Sequence, residues 1–382
     1  MGDRTVTIAL DSFKGSIGAA RLGDAVARRL AERFPGVQFD NFPCSDGGDG
    51  FAESVAWHIG GKWVECTVCD PLMRPRAARY LWSEDDRLAV IEAAEANGLV
   101  LLAPGERDPL AATSFGVGEL LLDAARRGAE SIIIGVGGSA TVDGGVGMAC
   151  AIGVRFLRRG RVIDSVHITD FAEADSLEVP SPHPLKDVQI VVASDVRTRL
   201  RGPRAASAIW IYGPQKGGTE ASLAEIEECL SCFDRMVRAR LGIAYGEVEM
   251  GGAAGGLAAG LAAFAGAKLR LGMELFDELT GLRAQIESSA LVITGEGRLD
   301  AQSAEGKVVS YVSRAAREAG VPVVALCGSA QEHRINLDGV VQLVASGMSV
   351  EECIAHPLAA LDGVLPRLES AVADPLDCCA DG

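Results

Sequence analysis

Histidine is scarce in this chain, with 5 scattered residues among 382. The paired histidines on one helix face that a zinc peptidase requires therefore have no counterpart. The GxxxxGK[ST] phosphate loop is also missing, which excludes a P-loop NTPase. No run of Lys and Arg offsets the formal net charge of -16. Such a balance repels nucleic acid and anionic membrane surfaces, so neither is an expected partner. Long apolar runs are lacking too: Met250 to Gly266, the most apolar long segment, is mostly Gly and Ala. It falls short of the ~20 strongly apolar residues of a membrane span. The start, Met1-Gly2-Asp3-Arg4, passes straight into the strand-like Thr5 to Leu10 without the cationic and apolar regions of a signal peptide. A cytoplasmic protein is expected.

Cysteine is not scarce, and two pairs have CxxC spacing, Cys66/Cys69 and Cys229/Cys232. Local pattern argues against a zinc site. Trp63 to Cys69 reads as a strand, in which positions three apart face opposite sides. Cys229 and Cys232 lie in a helical pattern with Leu223, Ile226, Leu230, Phe233 and Val237 on its apolar face, so buried or half-buried thiols are expected. Cys378 and Cys379, in a polar tail, are expected to be exposed.

A content of 48% hydrophobic and 23% charged residues describes an ordered globular chain, and 382 residues exceed what one core usually serves. Two domains are expected. The stretch around which the rest gathers is Ile132-Ile133-Ile134-Gly135-Val136-Gly137-Gly138-Ser139-Ala140-Thr141-Val142-Asp143. Three β-branched residues in a row predict a strand covered on both faces, and the glycines permit positive φ and close approach to a ligand. Ser139 and Thr141 add hydroxyl donors, while Asp143 adds a carboxylate suited to a metal ion or a proton. Alone, this is a plain βα turn or an anion site. Its company decides between them.

Alternating strands and helices fill both ends of the chain. Thr5 to Leu10 predicts a strand ending at Asp11-Ser12-Phe13-Lys14, and Leu22, Val26, Leu30 and Phe34 mark a helix face. A second strand, 37 to 42, ends at Asp46-Gly47-Gly48-Asp49. Strands at 291 to 294, 321 to 327 and 340 to 344, with a helix from 307 to 319, form an alternating β/α tail. Between the ends lie short strands joined by Asp70 to Pro75, a helix at 114 to 127, strands at 153 to 157 and 188 to 194, and a long helix ending near Leu241. The expected fold is α/β with two domains: a Rossmann-like or flavodoxin-like parallel-sheet domain made from 1 to 62 plus 285 to 382, and an inserted α/β domain from 63 to 284. The crevice between two such domains is a favoured ligand site.

Loops at the carboxyl ends of parallel strands gather ligand-binding groups, which predicts that Asp11, Asp46, Asp49, Glu296 and Asp300 converge, with Asp143 and Asp195 in corresponding places of the insert. So many carboxylates call for cations. Mg²⁺ suits a place where carboxylates meet phosphate oxygens, and Lys14, Lys216, Arg298 and Lys307 are placed to balance phosphate charge. This is an inventory for phosphoryl transfer. Two other readings stay open: the Gly135 to Ala140 spacing fits the loose G-x-G-x-x-[GA] of a dehydrogenase, and a sugar-acid or nucleotide sensor would explain the glycines without the carboxylates.

Asp11-Ser12-Phe13-Lys14-Gly15-Ser16, Asp46-Gly47-Gly48-Asp49-Gly50, Gly137-Gly138-Ser139-Ala140-Thr141, Gly213-Pro214-Gln215-Lys216-Gly217 and Thr294-Gly295-Glu296-Gly297-Arg298-Leu299-Asp300 resemble, in this order, the motifs of type-1 glycerate kinases. The resemblance implies ATP- and Mg²⁺-dependent phosphorylation of D-glycerate, to 2-phosphoglycerate or 3-phosphoglycerate, by a monomer or homodimer with its site between two domains. It implies catalytic roles for Asp195, Asp46, Lys14 and Lys216, and nucleotide contacts from Ser12, Gly137, Gly138, Ser139, Thr141, Gly295, Glu296 and Lys307. Arg298, Asp300 and Asp11 would hold substrate, and Asp46, Asp143 and Asp195 the metal. The chain departs from the family at Asp49, usually Glu, and Val142, usually Asn. Arg197 and Arg199 stand within a segment usually written Asp-Val-Thr-Asn-Pro-Leu, and Arg204-Ala205 replaces Asn-Gly, adding positive charge near the implied site.

Overall fold

The structure, a computed structural model, describes residues 4–300, 303 and 307–378. Cys379 and the side chain of Cys378 lie outside the described residues. The chain forms mixed α/β structure with parallel sheets and divides into two compact units, Met1–Ile59 with Gly272–Gly382, and Gly60–Leu271. The helix Gly272–Thr280 packs on the helix Phe51–Ile59, where the Phe276 and His58 rings meet edge to face, so it falls in the first unit, ahead of the expected boundary at 284/285.

Five strands build the sheet of the first unit, in the order Gly339–Gln342, Val323–Cys327, Leu291–Gly295, Arg4–Leu10, Val37–Asn41, every pair parallel. Leu291–Gly295 and Val323–Cys327 are buried at every position, as expected of strands covered on both faces. Leu22, Val26 and Leu30 recur at helical spacing in Ala19–Arg33 and bury against this sheet's core. A helix the sequence reading did not anticipate, Pro357–Cys378, presents Leu361, Val364, Leu368 and Val372 to the same core.

The second unit has a six-stranded sheet, ordered Lys268–Leu271, Gln189–Ser194, Ser131–Gly135, Leu88–Glu92, Pro75–Ser83, Lys62–Cys69. The first four are parallel, and the last two run antiparallel as a hairpin around Asp70. Asp70 Oδ1 accepts from the backbone N–H groups of Leu72 and Arg74, which fixes the turn. The strand Arg155–Arg158 belongs instead to a separate three-stranded sheet. Among the described residues, no helix is long and apolar enough to cross a membrane.

Candidate active site

Parallel register explains why the acidic loops of the first unit meet. Leu10 is paired with Gly295, so Asp11 and Glu296 emerge from adjacent strand ends, and the Asp11 N–H donates to the Gly295 carbonyl at 2.9 Å. The chain after Val37–Asn41 continues alongside, with Phe42 N–H bonded to Ile8 O and Cys44 N–H to Leu10 O, and this delivers Asp46. Gly295 has no room for a side chain, since a Cβ there would collide with the Leu326 carbonyl. These ends line a cavity of about 320 Å³ to which Asp11, Asp46, Glu296, Lys14, Arg298 and Lys307 all contribute.

Negative charge is crowded here. Burial, and then the nearby charge of Asp46, push the Asp11 carboxyl well above its usual range, against the Ser12 N–H that donates to Oδ1 at 2.7 Å and the charge of Lys14. Glu296 is also raised, chiefly by burial, with Ser303 and Lys307 opposing. Its Oε1 is buried with no hydrogen-bond partner among the described residues, and Lys307 Nζ stands 3.9 Å from Oε2. Asp46 Oδ1 accepts from the Gly48 N–H at 3.1 Å. Asp49 contributes its backbone, whose carbonyl accepts from Ser12 Oγ at 3.2 Å. Arg298 is held by Asp300 at 3.2 Å and Gln331 at 3.0 Å.

The glycine-rich turn lies in the second unit. Its strand runs between Leu88–Glu92 and Gln189–Ser194, so Gly135 leaves the sheet beside Glu92 and Ala193. Gly138 is exposed with φ +68°, a conformation only glycine adopts freely. Ser139 and Thr141 turn inward: Lys216 Nζ donates to Ser139 Oγ at 2.8 Å and to the Thr141 carbonyl at 2.7 Å, and Asn97 donates to Thr141 Oγ1 at 3.1 Å. Lys216 is 3% exposed, and burial lowers its ammonium to about 7. The sequence placed it in a loop; the structure places it beneath the turn.

Asp143, expected at a metal ion, is held by donors of the protein itself. It is fully buried, Oδ2 accepts from the Ser114 N–H, the Ser114 hydroxyl and the Gly147 N–H, and Oδ1 accepts from the Gly145 N–H. The protein's own donors thus occupy both carboxylate oxygens, three on Oδ2 and one on Oδ1. Asp195 follows the end of its strand and is half-buried. Among the described residues, no group of three or more His, Cys, Asp or Glu side chains is placed as a ready-made metal cage. Ser114 and Asn97 escaped the sequence reading, Ser114 because its partner lies 29 positions away.

Two of the arginines that depart from the family pattern have a local partner. Arg204 pairs with Glu220 at 3.0 Å and lies 3.9 Å over the Trp210 ring, while Arg197 stands 3.9 Å from Glu249.

Comparison with known proteins extends these observations over the whole chain. The sequence profile described as glycerate kinase family matches residues 6–372. A glycerate kinase of Halalkalibacterium halodurans is 39% identical over 360 residues, covering 92% of this chain and 93% of that one. The Escherichia coli K12 protein named glycerate 2-kinase is 37% identical, with 91% and 92% covered. A crystal structure from Salmonella typhimurium LT2, assigned as glycerate kinase 2, superposes with a TM-score of 0.82 at 32% identity, covering 100% of this chain and 99% of that one. With the acidic strand ends, the glycine turn and the buried lysine in one continuous match, this chain belongs to the glycerate kinase family and is an enzyme.

Proposed function

We propose that the chain transfers the γ-phosphoryl group of ATP to D-glycerate and releases 2-phosphoglycerate. The observation that carries this reading is the meeting of Asp11, Asp46 and Glu296 with Lys14, Arg298 and Lys307 around one cavity at the carboxyl ends of parallel strands. Phosphoryl transfer asks a protein mainly for position and charge: cations for phosphate oxygens, carboxylates for a metal and for the acceptor proton. The 2-position is favoured by the name of the Escherichia coli relative.

The residues fit Mg²⁺. Asp11, Asp46 and Glu296 crowd carboxylates where Glu296 Oε1 has no partner among the described residues, and a divalent cation relieves both conditions. When bound, the ion supplies charge neutralisation for the phosphate oxygens. Asp46 or Asp195 accepts the proton of the glycerate hydroxyl. Lys14 and Lys216 offset phosphate charge, Arg298 pairs with the substrate carboxylate, and the exposed Gly138 offers its backbone to phosphate. Asp143 shapes the turn that presents it.

Steady-state kinetics of folded Asp46→Asn, Asp195→Asn and Lys216→Met test these roles. Loss of an acceptor base costs about 10²- to 10⁴-fold in kcat, and at least one carboxylate variant is expected in that range. Near-wild-type turnover in both Asp195→Asn and Lys216→Met would overturn the assignment.

A further inference from the structure

The cavity of the first unit is not lined by charge alone. Leu343, Val344, Val350, Cys353 and Ile354 also face it, from the short 3-10 turn Leu343–Ser346 and the helix Val350–Ala355. Val350 and Ile354 are 52% and 46% exposed and lie four positions apart, on one face of their helix. D-glycerate carries oxygen on each of its three carbons and has no surface to cover such a wall. A cavity of about 320 Å³ also exceeds what a three-carbon acid fills. The purine of a nucleotide, flat and apolar on both faces, matches the part of the cavity that glycerate leaves unused.

We infer that Leu343, Val344, Val350 and Ile354 form the wall against which the nucleotide base lies, with its phosphates directed to Lys14 and Lys307. This rests on the kinase reading above. The wall is held in place before any ligand arrives. Ser16 Oγ, in the loop that carries Asp11 and Lys14, donates to the Ile354 carbonyl at 2.7 Å. Ser349 and Glu352 close a reciprocal cap on the helix, through Ser349 N–H to Glu352 Oε2 at 2.8 Å and Glu352 N–H to Ser349 Oγ at 3.2 Å. Leu343, 2% exposed, anchors the other strip to the core. The base-binding wall and the phosphate-facing loop are therefore tied together by a direct hydrogen bond, the preorganisation that a nucleotide site requires.

Isothermal calorimetry on the full chain tests this without turnover. The ligands are Mg-ADP, tripolyphosphate as a phosphate chain with no base, and D-glycerate; the proteins are wild type, Val350→Ser/Ile354→Ser and Ile354→Leu. Both serines stand at exposed positions and add no charge, and thermal melting checks the fold. The expected result is ADP affinity lower by about tenfold in the double serine variant, retained in Ile354→Leu, with tripolyphosphate and D-glycerate bound as in wild type. Unchanged ADP affinity in the double variant, or loss of D-glycerate with ADP retained, would overturn the wall assignment and leave the kinase reading standing. A wild-type protein that binds no adenine nucleotide would remove the kinase reading and this inference with it.

Discussion

Lys216 places its Nζ where water is excluded, donating to Ser139 Oγ and the Thr141 carbonyl. Its value near 7, against an ordinary 10.5, has a consequence for stability. Between those limits the unfolded chain binds a proton at this residue that the folded chain does not, so the contribution of Lys216 to stability rises with pH across the window. Below pH 7 the cost of the buried charge is present in full. Wild type is expected to gain about 2 kcal/mol from this group between pH 7 and 9, and Lys216→Met to lack that gain. Chemical denaturation of both proteins at the two pH values measures the difference, and parallel slopes would contradict the buried ammonium. Asp143 makes the complementary case, with four donors left unsatisfied if its carboxylate is removed. Asp143→Ala should lose about 3 kcal/mol of stability or more. A variant that melts like wild type and loses only metal affinity would contradict this structural role and point to a metal ligand.

At the scale of elements, the structure depends on features with unequal visibility in the sequence. The C-terminal helix buries Leu368 completely against the parallel sheet, and Leu368→Ala is expected to cost about 2–5 kcal/mol, read from the denaturation midpoint. Gly295→Ala, at the point where two strands leave no space for a Cβ, should cost about 1–3 kcal/mol and lower turnover by displacing Glu296. Strands such as Ser131–Gly135 and Leu291–Gly295 are legible because β-branched runs bounded by glycine leave little choice. The helix Pro357–Cys378 is not, because Pro366 and Pro375 interrupt the pattern and only the packing of Leu361, Val364, Leu368 and Val372 outweighs them. The acidic cluster is legible from strand ends alone. The hydrogen-bonded settings of Asp143 and Lys216 are not, because each depends on a partner distant in sequence, Ser114 for the one and Ser139 for the other. The apolar strip at Val350 and Ile354 is not legible for a simpler reason: a helix of six residues gives too few turns to show a period.

For the whole molecule, a net charge of -16 sets the substrate problem, since both proposed substrates are anions. The chain meets that problem locally, with Lys14, Arg298 and Lys307 at the acidic cavity. Chelation with excess EDTA is expected to abolish turnover, and Mg²⁺ to restore it, with no loss of folded protein by circular dichroism. The most direct test of glycerate phosphorylation is ADP release with ATP and Mg²⁺, with D-glycerate, L-glycerate, tartronate or simple sugars as acceptor, followed by phosphorus NMR of the product. Release that depends on D-glycerate, with the phosphoryl group on the 2-oxygen, is expected. Silence with every acceptor despite tight nucleotide binding, or binding of NAD in place of ATP, would contradict it.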